Sequence, residues 1–144
     1  MNLFDFQAQL IDEATDVIAG SLAGVKMGLY KVELTVDKTL TLAALVAAKA
    51  TYATYVKQTI LWRAVSVNDA GEVEVQSEPL FWTPTDSVTP NSMWGLWIED
   101  AGAVKLYWAG QFDSPPVPFN STLDQLTVVV IYRPATQTIA VVIS

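Results

Sequence analysis

The chain contains no histidine and no cysteine, so carboxylates are the main groups left for acid–base chemistry. With imidazole and thiolate absent, the commonest general base, nucleophile partner and transition-metal ligands are absent too. Two carboxylate pairs could in principle serve glycoside hydrolysis, in which one acid protonates the leaving oxygen and a second attacks or activates water. They are Glu99 with Asp100 and Glu72 with Glu74. The first pair falls in an expected turn and the second on an expected solvated strand face, both ordinary places for acids. No catalytic residue, metal ligand or cofactor is therefore expected. No phosphate-cradling GxxxxGK, no GxGxxG and no DxDxDG calcium loop occurs. Asn120-Ser121-Thr122 fits a glycosylation sequon, a three-residue pattern that also arises by chance.

The five tryptophans, Trp62, Trp82, Trp94, Trp97 and Trp108, raise a second possibility. Carbohydrate-binding β-sandwiches present coplanar aromatic rings on one face, on which sugar C–H groups stack. Here the tryptophans and tyrosines fall on opposite parities of the same strands, a pattern that more often fills a core or an interface. Sugar binding requires two tryptophans exposed side by side.

The elements that must position these residues follow from period and composition. A chain of 144 residues fits one domain with a sizeable core. It is 51% apolar and only 16% charged, which leaves apolar surface to place in intersubunit contacts. Eight Lys/Arg against fifteen Asp/Glu give a net charge of −7, and the basic residues form no run; nucleic-acid binding through phosphates is not expected. No apolar run approaches the ~18 residues of a membrane helix, so no membrane partner is expected. Asp5, Asp12, Glu13 and Asp16 argue against a signal peptide at the start.

Residues 2–20 predict a helix, with Asn2 as N-cap, Gly20 at the C′ position and an apolar stripe at three- and four-residue spacing. From Val25 the period changes to two. Strands are expected over 26–35, 52–67, 72–76, 79–84 and, most clearly, in a hairpin over 92–112 around the turn Glu99-Asp100-Ala101-Gly102. Two more follow at 126–132 and 139–143. Thr39 or Thr41 should cap a short helical turn through Leu42 and Leu45; Asn68-Asp69-Ala70-Gly71 is a turn by composition. Short strands separated by Gly/Pro turns make the expected fold mainly β, an antiparallel β-sandwich or jelly-roll-like domain at 23–144 preceded by a helical arm at 1–22.

That arm has a larger apolar stripe than lying on a sandwich requires. Leu3, Phe6, Leu10, Ile11, Val17 and Ile18 are candidate interface residues. Trp97 and Tyr107 join them, since both faces of the 92–112 hairpin carry large apolar groups. A homo-oligomer is expected.

A series of short motifs also resembles a known group. In order these are Leu29-Tyr30, Thr41-Leu42, Tyr52 with Tyr55, Trp62, Gly71 and Phe81. Trp94-Gly95-Leu96-Trp97, Asp100-Ala101-Gly102, Phe112 with Pro115-Pro116, and the Val-rich stretch 126–130 complete it. From Leu29 to about Tyr132 the chain resembles small proteins common in tailed-phage genomes, usually found among virion structural genes. The helix over 3–19 precedes that group's usual start, 133–144 extends past its last strand, and tryptophan stands where tyrosine is more typical. The resemblance implies a non-enzymatic virion component on the particle surface. Capsid decoration, or cement, stabilising the shell is the first expectation; its partners would be the major capsid protein or other virion proteins. A tail- or fibre-associated role is the alternative. The habits of capsid decoration suggest a trimer.

Overall fold

The computed structural model describes residues 17, 20, 22–52, 55–84, 92–119, 124–136 and 138–143. Among them the chain is mainly β, with nine strands and one short helix. The strands form two antiparallel sheets, as a sandwich requires. Of the expected N-terminal helix only Val17 and Gly20 are described. Their backbone ends a helical turn: the Leu22 and Gly20 N–H groups reach the Val17 carbonyl at 2.9 and 3.2 Å. The remainder of that helix lies outside the described residues.

The described residues fall into two compact units, one from Met1–Ala23, Ile60–Leu80 and Thr127–Ser144, the other from Gly24–Thr59 and Phe81–Leu126. The expected 23–144 domain is thus shared between them. The second unit is built on four strands: β1 (Lys26–Tyr30), β2 (Gln58–Thr59), β6 (Gly95–Glu99) and β7 (Leu106–Gln111), in the order β2-β1-β6-β7. β1 sets Lys26 opposite Glu99, Gly28 opposite Trp97 and Tyr30 opposite Gly95. β6 and β7 are the arms of the expected hairpin, with a bulge opposite Ile98–Glu99. Its turn is closed by Asp100, whose carboxylate accepts from the Val104 and Lys105 N–H groups at 2.7 and 2.8 Å. These bonds, that from Lys105 first, hold the Asp100 carboxyl below its usual range.

β1 is shorter than the expected 26–35. Its alternation continues past Tyr30, but the partner strand does not: the Lys31 N–H turns to the Ala48 carbonyl at 2.9 Å, and Val32 and Val36 end up exposed. The chain then enters α1 (Leu42–Ala47), where the Thr41 side chain accepts from the Ala44 N–H at 3.2 Å, the expected N-cap. Thr39, the other candidate, instead donates to the Asp37 carboxylate. α1 brings Leu45 and Ala48 onto Tyr30 and Trp97, and these four are the buried core of this face. Burying rings of that size contributes roughly 1.5–3 kcal/mol each.

The second sheet runs β3 (Ser66–Val67), β4 (Val73–Gln76), β8 (Leu126–Arg133) and β5 (Leu80–Trp82), with β9 (Thr138–Ile143) also on β8. The long strand expected over 52–67 is reduced to β2, β3 and an isolated bridge between Trp62 and Ser77. The Asn68 turn forms as expected. Its side chain accepts from the Ala70 and Glu72 N–H groups at 3.0 and 2.9 Å, and Gly71 takes the φ of 81° that favours glycine. β4 corrects one expectation: Glu74 is buried rather than solvated. Its carboxylate accepts from Asn68 at 3.3 Å and Gln76 at 3.1 Å, with Arg133 Nε at 3.6 Å, an ion-pair distance too long for a hydrogen bond.

Candidate functional site

The most chemically loaded place among the described residues lies on the α1-covered side of the β2-β1-β6-β7 sheet. Alternation on β6 sends Trp97 and Glu99 to the same face. Trp97 lies flat across Gly28 of β1, so close that a Cβ on Gly28 would sit within its ring. Glycine there is a requirement of ring placement. The indole N–H then reaches forward to Glu99 Oε1 at 3.1 Å. Lys57 Nζ, from the segment entering β2, meets the same oxygen at 2.9 Å. Glu99 is fully buried, and its second oxygen, Oε2, has no hydrogen-bond partner.

Above this pair is a cavity of about 270 Å³ lined by Lys26, Val46, Lys49, Tyr55, Val56, Lys57 and Trp97. Three of the eight Lys/Arg of an acidic chain therefore surround one cavity. Tyr55 is fixed by a ladder position: its hydroxyl oxygen accepts from the Leu29 N–H at 2.9 Å, filling a strand's place on β1. Burial pushes this hydroxyl up to about 12; the Leu29 N–H pulls the other way, and the Glu99 charge adds to the rise. Tyr55 is thus neutral at physiological pH and poorly suited as a base. A carboxylate held by an ammonium and an indole is equally committed. The arrangement can hold an anionic group at its lysine rim, but it assembles no nucleophile beside a free base.

The residues expected to act as surface distribute differently. Trp97 is 1% exposed, so its ring belongs to the core of its own unit and not to an interface; this corrects its place among the candidates. Tyr107 is half-buried on β7, edge-on to Trp108 with ring centroids 5.8 Å apart. Val17 is half-buried; Leu3, Phe6, Leu10, Ile11 and Ile18 lie outside the described residues, as does the Asn120 sequon. Of the five tryptophans, Trp82 and Trp97 are buried and Trp62, Trp94 and Trp108 are half-buried. Trp82 and Trp62 spend their N–H groups on the carbonyls of Val56 and Leu22, at 3.1 and 3.0 Å.

The carboxylate pairs also separate into structural roles. Glu99 is the last residue of a buried strand and Asp100 the staple of the turn; Glu72 and Glu74 share the Asn68 amide. Sequence reasoning placed Glu99 in a turn and missed its burial and its pairing with Lys57. The available signal was its parity with Trp97 in a strand apolar on both faces. Among the described residues no group of three or more Asp or Glu could hold a metal ion. No protein-family model, no curated protein and no solved structure matches this chain.

Proposed function

We propose that the chain is a non-enzymatic structural protein of a tailed-phage particle, a capsid decoration protein that bridges neighbouring coat subunits. The motif order running from Leu29-Tyr30 to the Val-rich 126–130 supports this reading. The observation that carries it is how polar and apolar groups are used. The buried acids Glu74 and Glu99 are committed to internal partners, while Val104, Val56, Leu61 and Phe81 are 76, 63, 62 and 51% exposed. A shell component needs apolar contact surface and no active site; such surface also favours association with further copies of itself.

The test is a phage lacking this gene product. Its particles should assemble, yet release genome at lower temperature or after osmotic shock, and added protein should restore them. Particles that stay equally robust but fail to adsorb to cells would overturn shell decoration in favour of a tail or fibre role.

A further inference from the structure

The sheets manage most of their open edges by shortness: β2 and β3 have two residues each and β5 has three. β7 is different. It is the outermost strand of its sheet, six residues long, and its sequence LYWAGQ holds no charge and no proline. The Phe112 N–H bonds the Trp94 carbonyl at 3.0 Å. Antiparallel alternation then turns Gly110 and Trp108 toward β6, and turns the N–H and C=O of Ala109 and Gln111 outward. Among the described residues those outward groups meet no partner. A long edge of this kind is a template for another strand.

We propose that β7 pairs antiparallel with β7 of a second copy of this chain, with Ala109 opposite its own counterpart. Charge selects both occupant and register. The uncharged strand is flanked by Lys105 before it and Asp113 after it, both exposed. With Ala109 on the twofold axis, Lys105 of each copy falls opposite Asp113 of the other. Two opposite-charge pairs thus close the two ends of the joined strands. Gln111 falls opposite Tyr107, one of the candidate interface residues. The bulge at the start of β7 loosens regular pairing there, and the length of the lysine side chain spans the offset. The pairing is isologous, so it makes dimers, and it does not depend on the virion reading.

Sedimentation of the full chain tests it, with Lys105→Asp, Asp113→Lys, the double exchange and Ala109→Pro. The wild type should be a dimer at micromolar concentration. Each single charge reversal should weaken association about tenfold, since two weak surface attractions become repulsions. The double exchange should return the affinity to within about threefold of wild type. Ala109→Pro, which removes an outward N–H, should give a folded monomer. A monomeric or trimeric wild type overturns the proposal. So does a dimer whose affinity ignores the charge exchanges, which would direct attention to the other long edge, β9. The charge series decides the matter even if Ala109→Pro fails to fold.

Discussion

Lys57→Met should destabilise the chain by far more than the loss of an ordinary surface lysine, because of what it leaves behind. Glu99 is wholly buried, with Lys57 on Oε1 at 2.9 Å, the Trp97 indole on the same oxygen and nothing on Oε2. Removing one partner of a buried ion pair costs about 3–5 kcal/mol, chiefly the penalty of the stranded charge. The Lys57 side chain is 32% exposed, so water partly replaces it, which lowers the expectation to about 2–3 kcal/mol. At about 3 °C per kcal/mol for a chain of this length, the thermal midpoint should fall by about 8 °C. Glu99→Gln keeps an acceptor for Trp97 and removes the charge, but sets a buried amide N–H where Oε2 had no partner, so it should itself cost about 1–3 kcal/mol. In the double variant the stranded charge is gone, so Lys57→Met should cost about 2 kcal/mol less in the Gln background than alone. Urea unfolding followed by tryptophan fluorescence, with equal slopes across the four proteins, measures the cycle. Equal losses in Lys57→Met with and without Glu99→Gln would refute the reasoning, since the carboxylate would not be the source of the penalty.

Two further expectations follow from the same sheet. Gly95→Ala drives a Cβ into the Gly110 carbonyl and the Tyr30 hydroxyl and should cost about 1–3 kcal/mol. Gly110→Ala meets open space at an ordinary φ and should gain about 0.4–1 kcal/mol; denaturant unfolding that moved both variants the same way would contradict this. Tyr55 has a folded-state pKa of about 12 against 10.0 unexposed to the fold. Its contribution is therefore complete below pH 10 and is lost as pH rises from 10 toward 12, by up to about 1.4 kcal/mol per pH unit. Burial raises Tyr30 and Tyr52 in the same direction. Absorbance at 295 nm should show these rings ionising late and together with loss of structure. All five tyrosines titrating near pH 10 with the fold intact would count against it.

The hairpin of β6 and β7 was legible because alternation, aromatic content and Asp-Ala-Gly coincide there. The Thr41 cap and the Asn68 turn were legible because a single side chain decides each. The expected β1 runs too far because Val32 and Leu34 continue the alternation of Tyr30, while only a neighbouring strand can make them one. The cavity was invisible: Lys26, Lys49 and Lys57 are scattered in sequence and converge only because β1, the end of α1 and the entry to β2 meet. Glu99 read as a turn acid because its partner Lys57 lies far away in the chain, and local pattern carries no trace of an ion pair across a sheet.

The Gly28–Trp97 contact restricts the order in which this chain can change. Alanine at Gly28 is barred while Trp97 lies across it. A smaller residue at position 97 opens a void in the core and takes the indole N–H from Glu99. Either first step passes through a weakened protein, and only the second step recovers it. Variants that alter one position should therefore persist only when the other has changed with it, or when stability gained elsewhere, as at Gly110, has made the intermediate tolerable.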